Sequence, residues 1–341
     1  MQSGKLGDFQ MVERRSVTST DVAREAGVSR TTVSFVLNGT STANISTETR
    51  HRVLEVAARL GYTPSAAARA LRRGQSDVVL CLLPQWPIHT AAGDYLEQLA
   101  YAFNVCDLTF VVHPHTPSTR LSEMWKRLRP AAVLTFDELT PQERIDTEQA
   151  GLPIVTVMLI ESVETHANIG EYTNETLGRL QAQHLVDNGH LRLGYAYPDD
   201  PHLQYFAKAR LSGVQQVTAR TALTNPVVVQ VALTAISATE AIKAWRRDLV
   251  TAVCAFNDEV AIALLCALHG SGLESPRDLA VIGIDDIPAA SLSIPPLTTV
   301  RRSMTDMAQQ TAIAVLQRLD RFPPAFWSAP APAEVIERFT T

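Results

Sequence analysis

The stretch GVSRTTVSFVLNG, residues 27–39, decides how the first part of the chain is read. Ser29 is a good N-cap and Gly39 a good stop, which predicts a helix from about Arg30 to Asn38. At about 100° per residue, Val33, Val36 and Leu37 fall on one side as an apolar stripe. Phe35 lies roughly 200° from both Val33 and Leu37. It shares the polar face with Thr31 and Ser34, flanked by Arg30 and Asn38. A phenylalanine there needs a surface other than its own core, which could be a neighbouring helix, the segment that follows, or an external partner.

Two further helical patterns surround this one. Val22, Ala23 and Ala26 repeat at helical spacing behind Ser19, Thr20 and Asp21. A third pattern runs over 47–60 with Val53, Leu54, Ala57 and Leu60 as its expected stripe. Helix, short glycine-containing turn, helix is the helix-turn-helix layout, with the third helix completing a minimal core; a generic three-helix bundle shares the pattern. The next segment, PSAAARALRRG at 64–74, opens on proline and closes on glycine. It is shorter than the roughly 12–15 residues at which an isolated helix becomes even marginal. It reads as a flexible Ala-rich linker, or as a linker that becomes helical against a partner.

Charge divides along the same boundary. Residues 1–75 carry 11 Lys/Arg against 6 Asp/Glu, and the rest carry 19 against 29, within a total of −5. A basic small part on an acidic body suggests that the small part alone meets a polyanion. A chain of 341 residues, 46% of them apolar, suits two or three globular domains. Residues 1–16 lack the apolar core of a signal peptide and read as a disordered tail, and no apolar run approaches a bilayer span. Cys81, Cys106, Cys254 and Cys266 are widely spaced in apolar segments, and read as small buried residues of a reducing compartment. A cytoplasmic location and no membrane contact are expected.

From residue 77 onward, strand-like and helical patterns alternate. VVLCLLP (78–84), LTFVVHPH (108–115), AAVLTF (131–136) and PIVTVM (153–158) form a first series of strands. LGYAYP (193–198), PVVVQVAL (226–233), AVCAFN (252–257) and AVIGID (280–285) form a second. Near-continuously apolar strands separated by helices predict parallel sheets covered on both faces. The expected fold is therefore an all-α helix-turn-helix headpiece followed by an α/β body of two doubly wound lobes. Ligands of such sheets bind beyond the carboxyl ends of the strands, so the interlobe cleft is the expected site.

The run TSTDVAREAGVSRTTVSFVLNG, followed by ISTETRHRVLEVAARLGYTPSAAARALRRG, strongly resembles the DNA-binding headpiece and hinge of lactose-repressor-type (LacI/GalR) transcription regulators. The likeness continues in DNGHLRLGYAYP, ARLSGV (209–214), FNDEVAIALLCAL and LAVIGIDDIPAASLSIPPLTTVR (279–301), in the family's order. Between 83 and 152 it is a likeness of pattern. The resemblance implies a headpiece over 17–63, a hinge helix over 64–75, and a periplasmic-binding-protein-like body over 76–341. The first lobe would take about 76–168 plus 300–325, and the second about 169–298 plus 326–341. Strand crossovers are expected near 167–172, 298–302 and 324–327.

The resemblance also assigns roles. The second helix would lie in the major groove of operator DNA, with Arg30, Thr31 and Phe35 at base edges. Ser19, Thr32, Ser34 and Asn38 suit phosphate oxygens. Two hinges, one from each subunit of a homodimer, would pair in the minor groove. There Leu71 would wedge a base step, Ala68 would face the partner, and Arg69 and Arg72 would lie near the backbone. No leucine heptads follow Thr341, so a dimer is expected rather than a tetramer.

For the small-molecule effector, carry-over points to Arg210 and Asp258, although Asp258 could instead cap its helix and Arg210 could serve an interlobe salt bridge. Met158, Tyr172 and Arg302 stand where sugar-binding members often have aspartate, aspartate and glutamine, and Trp86 could stack on a ring or plug the lobe. Fewer carboxylates and one more arginine admit an anionic or more apolar metabolite as well as a sugar. Asp285-Asp286 reads as a strand-end turn. No metal-spaced His/Cys set, P-loop or nucleophile elbow is present, so neither cofactor nor catalysis is expected. A regulator that ignores small molecules, or answers to a protein partner, is the other reading of the same fold.

Overall fold

The computed structural model describes residues 17–37, 45–62, 76–84, 89–116, 120–136, 139–157 and 173–341. Asn38, Ala68, Arg69, Leu71, Arg72, Trp86, Met158 and Tyr172, singled out above, lie outside the described residues, as do the tail at 1–16 and the hinge at 64–75. The chain divides into two compact units, Met1–Ser76 and Asp77–Thr341.

The first unit contains α1 (Ser19–Ala26), α2 (Arg30–Leu37) and α3 (Thr47–Leu60). Local chemistry fixes the described helix ends. Thr18 and Asp21 form a capping box at α1, and Gly27 closes that helix with φ 66°, a left-handed conformation that glycine adopts without strain. Ser29 accepts from the Thr32 amide at 3.0 Å, as its N-cap reading requires, and Ser46 does the same for Thr49 at 3.2 Å. Such caps stabilise a helix by about 1 kcal/mol each, which matters for helices of two turns. Val22, Ala23, Ala26, Val33, Val36, Val53, Val56 and Ala57 form the core, with Leu37 and Leu60 packed beside it. Leu54 is a correction: it is 47% exposed, and Val56 takes its place. The α3 stripe runs through 53, 56, 57 and 60, from which position 54 is displaced by about one 100° step.

The second unit holds two sheets. In the first lobe, β1 (Val78–Leu83), β2 (Thr109–Pro114), β3 (Ala132–Thr135) and β4 (Ile154–Thr156) run parallel in the order β2-β1-β3-β4. Helices α4 (Thr90–Val105), α5 (Leu121–Leu128) and α6 (Pro141–Gln149) alternate with them. In the second lobe, β5 (Leu193–Pro198), β6 (Val227–Val231), β7 (Ala252–Ala255), β8 (Ala280–Ile284), β9 (Thr298–Arg301) and β10 (Glu334–Ile336) are ordered β10-β9-β8-β7-β5-β6. Only β10 runs antiparallel to its neighbour there. The remaining helices are α7 (Asn174–Asp187), α8 (Gln204–Arg220), α9 (Ala235–Arg247), α10 (Asp258–Gly270), the short α11 (Pro288–Leu292) and α12 (Met304–Arg318).

Each sheet is covered on both faces, which is why its strands are apolar at consecutive positions. In the first lobe, Val79, Cys81, Ala132 and Leu134 pack with α4 and α12, while Leu80, Leu82 and Val133 pack with Leu121 and Trp125 of α5. In the second, Val253, Ala255 and Val281 meet α9 and α10, and Leu193, Tyr195, Cys254 and Ile282 meet α7 and α8. Cys81 and Cys254 are buried, Cys106 is half-buried and Cys266 is exposed, which corrects the expectation of four buried cysteines; all four are free.

The chain changes lobe after β9, because Arg301 still pairs in the second-lobe sheet while α12 packs on the first-lobe core. The return falls between Trp327, packed on the first lobe, and Ala333, packed on the second. Both transitions lie a few residues later than the sequence suggested. Among the described residues, no helix is long and apolar enough to cross a membrane.

Candidate functional site

Two features stand out, one in each unit. On α2, Val33 and Val36 are buried, whereas Arg30 and Thr31 are exposed. Phe35 is half-buried and is not among the side chains of the headpiece core. Thr32 turns its hydroxyl onto Ser29 at 2.9 Å, within the cap. Ser34 and Ser19 are half-exposed. The helix thus presents a cation, a hydroxyl and an aromatic ring on the side opposite its core.

In the second unit, a cavity partly open to solvent lies between the lobes. Its walls come from the carboxyl ends of strands: Phe136 after β3, Val157 after β4, Phe256 and Asn257 after β7, Asp285 after β8 and Arg302 after β9. Helices supply the rest, with His89 and Tyr95 from α4 and its cap, Arg210 and Phe206 from α8, and Met304 and Met307 from α12. The three sequence-predicted effector residues that are described, Arg210, Asp258 and Arg302, all line this cavity.

Their environments differ. Arg210 is 3% exposed. Its Nε donates to Asn174 Oδ1 at 3.0 Å and its Nη1 to the Phe256 carbonyl, while the guanidinium lies 4.5 Å from the centre of the Phe256 ring. Asp258 is fully buried: Oδ2 accepts from the Ile287 amide at 2.9 Å and Oδ1 from the Thr299 hydroxyl at 2.5 Å. Burial pushes its carboxyl up to about 8, against the pull of those two hydrogen bonds. Asn257, not Asp258, caps α10, accepting from the Val260 amide at 3.0 Å. Arg302 keeps its Nε and Nη1 buried without a hydrogen-bond partner among the described residues.

His89, Asn257, Glu259 and Asp285 also line the cavity, and none of them was chosen from the sequence as an effector residue. Asp285 and Asp286 have positive φ, 109° and 51°, and so turn their side chains apart. Asp285 faces Arg210 at 3.8 Å, and Asp286 pairs with Arg338 at 2.6 Å. Burial raises the Asp285 carboxyl, with Arg210 and Arg302 pulling it back. Glu259 bridges the lobes: it pairs with His89 at 2.7 Å and accepts from the Thr90 amide and hydroxyl, both at 3.2 Å. Its carboxylate therefore lies at the amino-terminal turns of both α4 and α10, where the helix dipoles favour negative charge. The hydrogen bond to Glu259 raises His89, and the same bond lowers Glu259. The one available signal was position, just after a strand for Asp285 and Asp286 and in the first turn of a helix for Glu259; their convergence comes from tertiary packing.

A helix-turn-helix unit with an exposed recognition face, joined to a two-lobed body around an interlobe cavity, defines a ligand-responsive DNA-binding regulator. Comparison with known proteins gives the family. Residues 18–65 match the family of bacterial regulatory proteins of the lacI type, and residues 182–341 match the periplasmic binding protein-like domain. The chain is 28% identical over 314 residues to the HTH-type transcriptional repressor PurR of Vibrio vulnificus, covering 89% of this chain and 92% of that one. It is 27% identical over 311 residues to the HTH-type transcriptional regulator DegA of Bacillus subtilis, covering 85% and 88%. In fold it is similar to the lac repressor dimer bound to operator and the anti-inducer ONPF, with a TM-score of 0.70 and 24% identity over 96% of this chain and 99% of that one. The protein belongs to the lacI family of bacterial regulatory proteins, and is a DNA-binding regulator with an effector-binding domain.

Proposed function

We propose that the protein represses transcription by binding a palindromic operator as a two-fold dimer, and that a small molecule in the interlobe cavity sets its affinity. The observation that carries this reading is the outer face of α2, which holds Arg30 and Thr31 exposed and Phe35 apart from the headpiece core. Arg30 has the bidentate donors that read guanine, a pairing that discriminates by about 1–3 kcal/mol. Thr31 offers a hydroxyl and a methyl. Phe35 packs on a thymine methyl or excludes a polar base edge. Ser19, Thr32, Ser34 and Asn38 hold phosphates and so fix register.

The dimer is supported by the likeness to the operator-bound lac repressor dimer, and by the match between two-fold protein symmetry and two half-sites. In such a dimer, Ala68, Arg69, Leu71 and Arg72 of paired hinges enter the minor groove, Leu71 as the wedge. Arg210, Arg302, Asp285 and Asn257 meet the effector, joined by Trp86, Met158 and Tyr172, while Asp258 is held by Ile287 and Thr299. The effector shifts operator affinity by its differential affinity for the two lobe arrangements. A cavity with unpaired donors supports ligand control over a regulator governed by a protein partner or by nothing.

Phe35→Ala is the direct test. The variant should prefer a different base at one position of each half-site, measured by competition binding against single-base operator variants. Equal loss on every sequence would show that Phe35 supports the headpiece rather than reading DNA.

A further inference from the structure

The polar groups of the cavity are unevenly matched. Each carboxylate that lines it has a cationic or hydrogen-bonding partner inside the protein. Asp258 accepts from Ile287 and Thr299, Glu259 pairs with His89 and Thr90, and Asp285 lies 3.8 Å from Arg210. Asn257 spends its carbonyl on the Val260 amide. One acceptor of the lining, Asp285 Oδ1, is buried with no hydrogen-bond partner among the described residues, against three such donors: Arg302 Nε and Nη1, and His89 Nε2. With Arg210 nearest Asp285 and His89 on Glu259, the Arg302 guanidinium makes no direct ion pair among the described residues and acts on Asp285 only at longer range.

Buried donors are almost always satisfied in folded proteins, and unsatisfied ones at a cavity wall mark where a ligand's acceptors belong. The rest of the wall is apolar and rich in rings, including Tyr95, Phe136, Phe206, Ile287, Met304 and Met307. The Tyr95 hydroxyl is itself bonded to Thr311 at 2.6 Å, so that residue offers the cavity its ring. Tyr95 and Phe136 meet edge to face with centroids 6.2 Å apart, forming one side of an aromatic wall. A sugar needs acceptors for a ring of hydroxyls, and this cavity supplies few.

The geometry points to an effector that is a small organic monoanion with a ring-containing apolar body, its carboxylate received by Arg302 and the free edge of His89. This inference rests on the effector reading of the cavity and names the chemistry of its ligand. An arginine is suited to the carboxylate because its planar fork can give two parallel charge-assisted hydrogen bonds. His89 contributes Nε2 while Nδ1 stays on Glu259, so the same side chain that joins the lobes also touches the anion. Ligand binding and lobe closure are thereby coupled through one residue.

The test uses the purified full-length protein with benzoate, phenylacetate and trans-cinnamate as probes. The uncharged isosteres benzamide and benzyl alcohol, and the sugars glucose and cellobiose, serve as comparisons. Binding is read by calorimetry and by thermal shift, and operator affinity by fluorescence anisotropy. At least one carboxylate should bind tenfold or more tightly than its uncharged isostere and change operator affinity. Arg302→Gln should erase that preference, while Arg302→Lys, which keeps the charge but not the fork, should retain part of it. Binding of sugars in preference to the carboxylates, or a carboxylate preference unchanged in both variants, overturns the anion inference and leaves effector control standing. No binding by any probe, with operator affinity constant throughout, overturns both.

Discussion

Asp258 shows how a residue chosen by resemblance acquires a different physical role. It lines the cavity, yet its two oxygens are held by Ile287 and Thr299, and its carboxyl titrates near 8. An unfolded aspartate titrates near 3.9. The native chain therefore binds this proton more tightly than the unfolded chain, and its stability falls as pH rises through the window from about 4 to about 8. Asp258→Asn should remove that slope. The variant should equal or fall below the parent at about pH 5 and exceed it above about pH 8, measured as denaturant midpoints; parallel slopes would contradict the account. Arg210 and Arg302 were legible only through the family resemblance, Arg210 by carry-over within ARLSGV and Arg302 as the residue after TTVR where sugar-binding members often have glutamine. Asp285 and Glu259 were not, since their partners Arg210 and His89 arrive from segments far away in the chain.

At the scale of elements, α7 and α8 determine where Arg210 stands. They cross at Gly178 and Gly213, and a Cβ on either would overlap the backbone of the other helix, at the Arg210 carbonyl for Gly178 and the Glu175 carbonyl for Gly213. Gly213→Ala should force the helices apart and lower stability by about 1–3 kcal/mol, with a matching loss of effector affinity as Arg210 is carried away from Phe256. Denaturant titration and calorimetry would check both; a stable variant with unchanged ligand affinity would contradict the crossing's role. Eight strands were legible because both faces of each sheet are covered, so each of those strands is a run of apolar residues; β9, Thr-Thr-Val-Arg, was expected only as a crossing between the lobes. β10 was not, because an antiparallel edge strand with the pattern Glu-Val-Ile carries too short a signal. On α3, periodicity identified the helix but put Leu54 on the buried stripe, an error of one residue in phase.

For the whole molecule, the division of charge and the division of structure coincide: a basic first unit and an acidic body meet near residue 76. That arrangement confines attraction for a polyanion to the headpiece and leaves the body to bind a ligand between its lobes. The family's layout was legible from the sequence because helix caps, glycine turns and strand runs agree with one another. The chemistry of the ligand was legible only as a departure from sugar-binding positions, and needed the cavity to give it form. The most direct measurement is selection of binding sites from random duplex DNA with the purified protein at about 150 mM salt, a concentration at which non-specific phosphate binding is weakened. The account predicts enrichment of a two-fold palindrome with a flexible central step. Enrichment of an unpaired, asymmetric site, or none with or without added carboxylates and sugars, would contradict it.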